Sequence, residues 1–424
     1  MKHETDRKNT YEITTNIMEN NEMLTCSKER IRYAVLSFFI AQGLCFASWA
    51  SRIPDVKELF DVYDVFYWGL VLLLIPIGKF VAIPLAGYLV SRLGSHIMVQ
   101  VSVMGYALSL FSIGMVSSIY SLGVCLFCFG VFWNLCDISL NTQAIIIERI
   151  YGKTIIASFH GGWSVGACLG ALAGFIMIAN DIHPSVHFTI AAMAIAGIVM
   201  AGRNYLQEDR TKQFDEVGDK DGKKEAPALL SFIRKPEMLL LQFGLAGLFG
   251  LVVESAMFDW SGLYFESVLN VPKSLQIGFL VFMVMMATGR FLANWAYGKL
   301  GKQRVLQCAG AFIFAGFFLS ALLGNQFDNI AAKVTVNSLG FMLVGLGISC
   351  VVPTIYSLVG AKSHTPVGIA LSILSSISFI GSLVAPVLIG AISKAFDMQY
   401  AYMVVGLLGL CIWAMTTFCK AFKE

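Results

Sequence analysis

Five ionisable residues stand inside long apolar stretches of this sequence: Lys79, Asp137, Glu254, Asp259 and Arg290. A charge near the centre of a bilayer costs about 2.5–3.5 kcal/mol on insertion scales, so each needs a reason to be there. Around Asp137 the spacing is informative. Asn134, Asp137, Asn141 and Glu148 lie three, four and seven residues apart, which puts them on one face of a helix. Such a stripe is either the wall of a cavity, bonding a polar solute, or a seam of amides joining helices with Asp137 neutralised by a buried partner such as Lys79. Lys79, in IPIGKFVAIP, is too far from either membrane surface to reach water comfortably. The Lys79–Asp137 pair is expected to break and reform as the protein moves. Glu254, in LFGLVVESAMFDW, has no cation on its own helix. It is either a carboxyl that takes and releases a proton near neutral pH, because desolvation disfavours its charged form, or a permanently protonated hydrogen-bond donor. Asp259 lies about 140° around the helix from Glu254 and is read as part of an outer gate, with Arg52 as its partner.

Other chemistry is missing. No nucleophile–base pair or metal-ligand cluster stands out, and the phosphate-binding pattern G-x-x-x-x-G-K-[ST] is absent. Cys125 and Cys128 form a C-x-x-C without a second pair, inside a lipid-length run. The expectation is therefore a protein that is not an enzyme, with no cofactor or metal, drawing its energy from a proton gradient. Aromatic and amide side chains suit a sugar-like solute: Gln42, Cys45 and Trp49 share one helical face, and Ser349, Pro353 and Tyr356 roughly share another. A flat ring stacks on a pyranose while amides bond its hydroxyls, although Trp and Tyr also populate interfacial belts. The candidate solute-binding residues are thus Gln42, Trp49, Asn134, Asp137, Asn141 and Tyr356, and the candidate proton-coupling residues Glu254, Asp137 and Lys79.

The elements that position these residues follow from composition. Of 424 residues, 57% are hydrophobic and 13% charged, with a mean hydropathy of +0.72, too little charge to solvate a soluble globule. The net charge of +3 gives no case for nucleic acid; the expected partners are a small-molecule substrate and the lipid bilayer, with the protein a monomer. Twelve apolar runs are long enough to cross a bilayer, at roughly 31–51, 68–90, 97–116, 119–147, 155–179, 185–202, 236–263, 274–298, 303–323, 332–359, 366–392 and 398–419. A charged connector splits them. The expected organisation is a disordered cytoplasmic tail (1–30), a six-helix bundle (31–202), a cytoplasmic linker (203–235) and a second six-helix bundle (236–424). Lys and Arg gather on one side of the runs, leaving Arg52, Lys57, Lys273, Lys333 and Lys394 on the other, which predicts both termini in the cytoplasm.

The halves echo each other. Arg92-Leu93-Gly94 follows the second run and Lys299-Leu300-Gly301 the eighth; Trp49 ends the first run and Trp260 the seventh, offsets of 207 and 211 residues. A duplicated six-helix unit encloses a site at the bilayer midplane. The all-helical fold class is two pseudo-symmetric six-helix bundles. Glycines recur every four residues at Gly162, Gly166, Gly170 and Gly174, with a counterpart at Ser378, Gly381, Ser382 and Ala385. Both rows are expected to make close, sliding contacts between the bundles.

GYLVSRLGSH resembles the loop motif of the major facilitator superfamily, matching at Gly87, Leu89, Arg92 and Gly94, with Ser91 where the motif has Asp. WASRIPDVK, NTQAIIIE, SFHGGWSVGACLGALAG and FDWSGLYF are similar to the YbjJ-like bacterial inner-membrane permeases, related to the fucose–galactose–hexuronate proton symporters. VPTIYSL resembles the tenth helix of that group. The resemblance covers all twelve runs. It implies the major facilitator fold, a multi-pass protein of the bacterial inner membrane, a fourth helix that lines the cavity, and gating by Arg92, Gly94 and Arg290, with Arg290 at the inner gate, beside the outer gate read above from Arg52 and Asp259. The function expected is proton symport of a small polar solute, a sugar or sugar-derived acid, by alternating access. Proton-driven export of drugs or metabolites is the alternative, and a non-transporting membrane sensor a more distant one.

Overall fold

The computed structural model describes residues 28–152, 155–208, 237–363, 365 and 367–423. The tail expected over 1–30 and the linker expected over 203–235 fall mostly outside them; residues 28–30 begin the first helix, and Arg203–Tyr205 form a 3-10 turn. Among the described residues, twelve helices are long and apolar enough to cross a membrane. They are α1 (Lys28–Ser51), α2 (Val65–Leu93), α3 (Ser95–Ile113), α4 (Ile119–Tyr151), α5 (Ile156–Ala179), α6 (Pro184–Tyr205), α7 (Met238–Val268), α8 (Lys273–Leu300), α9 (Lys302–Leu323), α10 (Ile330–Lys362), α11 (Ile369–Ala395) and α12 (Met398–Phe418). An even number of crossings leaves Lys28 and Lys423 on one side, the terminal face; the loops after α1, α3 and α5 lie at the far face.

Local chemistry sets the ends. Ser118 and Ser121 form a reciprocal cap at the start of α4, and that helix stops at Gly152, whose φ of +65° is left-handed. Asn329 accepts from two backbone N–H groups at the start of α10. Both helices run 33 residues, about 50 Å, longer than the hydrocarbon core. The turns after α2 and α8 are equivalent: Gly94 and Gly301 take φ of +81° and +77°, a region that L side chains rarely adopt.

The packing repeats as well. In the first half α4 lies against α2 and α3, and α3 against α6; in the second, α10 lies against α8 and α9, and α9 against α12. The halves meet chiefly along α2–α11 and α5–α8. Large apolar side chains left outside, such as Leu108, Val124 and Met193, suit lipid rather than water.

The glycine rows are not the seam between the halves, contrary to expectation. A Cβ on Gly166 would collide with the Ile40 carbonyl, one on Gly162 with Leu36, and one on Gly170 with Leu44 and Ala47. The ridge therefore seats α5 on α1, inside its own half. Its counterpart does the same, Ser378 lying against Gly247 and Gly381 against the Leu248 carbonyl of α7. Missing side chains let backbones of one half approach each other, whereas α5 meets α8 through another face, as where Cys168 Sγ lies 3.6 Å from the Met283 carbonyl oxygen. Gly166→Val is accordingly expected to destabilise the protein by about 1–3 kcal/mol through overpacking. Gly298→Ala, whose Cβ would meet open space, leaves stability unchanged or slightly raised. Thermal unfolding of the two variants in detergent checks the contrast.

Candidate solute cavity and far-face closure

Mid-span polar groups converge between the halves. From the first half, α1 supplies Gln42 and Phe46, α2 Lys79, α4 Trp133, Asn134 and Asp137, and α5 Trp163 and Ser164. From the second, α7 supplies Glu254, Phe258 and Asp259, and α8 Arg290. Glu254 and Arg290 form an ion pair at 3.2 Å yet keep 17% and 26% of their side-chain surface accessible. Accessible surface on a mid-span pair marks a cavity rather than a packed core.

Arg290 joins the two halves. One terminal nitrogen donates to Glu254 Oε1 and the other to Ser164 Oγ at 3.2 Å, while the guanidinium lies 5.1 Å from the Trp163 ring centroid. It stands at mid-span on the cavity wall, not at the inner gate where it was expected. Glu254, without a cation on its own helix, takes this one from α8.

Gln42 Nε2 donates to Asp137 Oδ1 at 2.9 Å. The expected Lys79–Asp137 ion pair does not form: Lys79 Nζ sits 3.7 Å from the centroid of Trp133. Trp133 is one helical turn from Asp137, so a single face of α4 offers Lys79 a ring and a carboxylate, and in this conformer the ring has it. Buried acceptor atoms remain open, the Gln42 Oε1 and Asn134 Oδ1 carbonyl oxygens. Phe46 ties the aromatic wall together, with centroids 4.8 Å from Trp133, 5.7 Å from Trp163 and 4.6 Å from Phe258 across the halves.

Other expected residues lie elsewhere or act differently. Trp49 is 1% exposed and packs against Phe129 on α4, so it does not offer its ring to a solute here. Tyr356 OH is 2.6 Å from Ser375 Oγ on α11, and Asn141 Nδ2 donates to the Asp137 carbonyl oxygen. Glu148, at the terminal end of the α4 stripe, accepts from the N–H groups of Ile155 and Ile156 and caps α5. At the terminal face Arg92 lies over its own Tyr88, and Ser91 Oγ donates to the Tyr88 carbonyl. Sequence reasoning missed Phe46, Phe258 and Ser164, and left Trp133 and Trp163 unplaced. Phe46 and Phe258 each follow a polar candidate, Gln42 and Glu254, by one helical turn; that spacing was the available signal. A groove of about 570 Å³ along α5–α8, lined by Val165, Cys168, Leu172, Leu280, Val284 and Phe291, is nearly all apolar, as suits contact with lipid rather than a polar solute.

The far face is shut by packing with ion pairs at its rim. Gly69 on α2 lies under the Pro386 carbonyl, and Gly390 lies against Val65 and Phe66. Lys394 pairs with Asp64 at 2.5 Å and Lys273 with Asp181 at 3.0 Å, both between halves and largely exposed. Arg52 does not reach Asp259: it pairs with Asp55 and donates to the Ile182 carbonyl at 2.6 Å, which brings the loops after α1 and α5 together. Burial raises the Asp55 carboxyl above its ordinary value, against the pull of Arg52 and Lys273. The hydrogen bond from Lys394 lowers that of Asp64. The Lys394–Asp64 contribution is thus full above the ordinary carboxylate range and is lost as pH falls through the depressed value.

Two packed repeats around a charged mid-span cavity, closed at one face, define a membrane transport protein. The Major Facilitator Superfamily model matches residues 38–367, and the chain belongs to that family. It is a transporter of that type and not an enzyme. An uncharacterized transporter of Sinorhizobium fredii is 26% identical over 389 residues, 91% of this chain and 97% of that protein. An uncharacterized MFS-type transporter of Yersinia pestis is 28% identical, covering 89% and 93%. Membrane protein MosC of Rhizobium meliloti is 25% identical, covering 91% and 89%. The same fold recurs in a mutant of the nucleoside transporter NupG (TM-score 0.73, 14% identity) and in a D-xylose-proton symporter (TM-score 0.71, 12% identity), each alignment covering 92% of this chain and 99% of the other.

Exposed ion pairs contribute little, so backbone packing should dominate far-face closure. Gly69→Val is expected to lengthen the distance between spin labels at positions 61 and 396 in most molecules, and Lys394→Met to leave it nearly unchanged. Electron–electron double resonance compares the two; a larger effect from Lys394→Met would reverse the order.

Proposed function

We propose that the protein is a proton-coupled symporter of a small polar solute, a sugar or sugar-derived acid, within the YbjJ-like branch of its family. The reading places it in a bacterial inner membrane as a monomer, with both termini and the 203–235 linker cytoplasmic. The terminal face is then cytoplasmic, and the conformer is shut toward the outside.

One observation carries the proposal: Arg290 holds Glu254 of its own half and Ser164 of the other at once. Protonating Glu254 removes the charge that Arg290 answers, which frees the guanidinium and loosens a link between halves. Proton binding and bundle movement are then one event. Gln42, Asn134 and Asp137 supply acceptors for solute hydroxyls, and the Phe46–Trp133–Trp163 wall supplies apolar faces for a sugar ring. Energy comes from the proton gradient, with no cofactor.

Charge movement in proteoliposomes on a solid-supported membrane tests it, with hexoses, hexuronates and small organic acids as solutes. Wild type is expected to give a current for one solute class, and Glu254→Gln to lose at least about 90% of it. Equal currents in both would move the proton site away from Glu254. Silence for every solute, in vesicles shown to contain folded protein, would sink the sugar reading and favour export.

A further inference from the structure

Lys79 is held by electrons of a ring rather than by an ion pair. Its Nζ lies 3.7 Å from the Trp133 centroid, with the Phe379 ring of α11 at 6.0 Å. Three carboxylates, Asp137, Glu254 and Asp259, interact electrostatically with it, but none forms an ion pair with it. Two are engaged elsewhere, Asp137 with Gln42 and Glu254 with Arg290. Asp259, half-buried on α7, makes no hydrogen bond or ion pair among the described residues. Without its ammonium, the place Lys79 fills is an aromatic face within electrostatic reach of the Asp137 and Asp259 carboxyls. Aromatic faces joined to carboxylates are the chemistry that recognises organic ammonium ions.

We propose that Lys79 is an internal cation occupying an organic-ammonium subsite formed by Trp133, Phe379, Asp137 and Asp259, and that it thereby sets the charge selectivity of the cavity. The inference rests on reading this cavity as the solute site. A tethered ammonium is already present at the ring, whereas a free cation must give up its translational freedom and displace it. Cationic solutes are therefore rejected by a like charge in their place, and uncharged hydroxylated solutes, which need acceptors rather than that slot, are admitted. The side chain doing the excluding comes from α2, and Phe379 from α11, so the subsite spans one of the two main contacts between the halves.

The test is binding of tetramethylammonium to the full chain in nanodiscs, followed by tryptophan fluorescence and calorimetry. Lys79→Ala is expected to bind at least tenfold more tightly than wild type. Lys79→Arg, which keeps the charge, should gain nothing, and adding Asp259→Asn or Trp133→Leu to Lys79→Ala should abolish the gain. Thermal unfolding establishes that each variant is folded; if Lys79→Ala is not, Lys79→Met with methylammonium as probe replaces it, with the same tenfold gain expected. No gain in the folded uncharged variant, or an equal gain in Lys79→Arg, overturns the proposal. The assay uses neither a pH gradient nor transport. Gained cation binding alongside silent solute currents would sink the symport reading and leave the subsite, and the reverse result would do the opposite.

Discussion

Charge in the middle of a membrane protein has to be answered by the protein itself. Water solvates it weakly there and lipid not at all, so an unanswered charge is expensive in a way that a surface charge never is. Arg290, Lys79 and Asp137 in this transporter follow from that constraint. Arg290 collects a carboxylate, a hydroxyl and an indole face. Lys79 settles on Trp133, and Asp137 takes the amide of Gln42. Because the partners come from different helices, answering the charge also ties helices together, and where the partners belong to different halves it ties the halves.

In the proposed symport, this link is what ties proton binding to movement of the halves. Arg290 cannot lose Glu254 as a charged partner without a change in its hold on Ser164, since one guanidinium serves both. A proton is the smallest agent that can make that change. The surrounding aromatic side chains, with Phe46 touching Trp133, Trp163 and Phe258, are weakly polarisable by comparison with water and so strengthen those electrostatic terms.

Movement needs rigid bodies as well as a trigger. The glycine ridge on α5 and its counterpart on α11 weld α1 to α5 and α7 to α11 within the halves. Contacts between halves fall along α2–α11 and α5–α8, where the far face closes through small residues at Gly69 and Gly390 and at an exposed rim of ion pairs. Tight packing inside each half and a seam of separable contacts between them is the mechanical arrangement that rocking requires.

The sequence by itself determined the twelve helices, their duplication and the identities of the mid-span charges. Lipid demands about twenty apolar residues per crossing, and that demand is written locally in composition; the turns at Gly94 and Gly301 are local too. It also determined that Asn134, Asp137 and Asn141 share a face, because helical periodicity is local. Pairings were decided by tertiary structure alone. Nothing in the neighbourhood of Glu254 names Arg290, 36 residues away, and the ridge of Gly162–Gly174 cannot say which helix it will meet. Trp49 shares a face with Gln42 and yet lies against Phe129 in the core. A helix fixes which residues point the same way, but the direction of that face depends on how twelve cylinders pack, and that is settled by contacts between residues far apart in the chain.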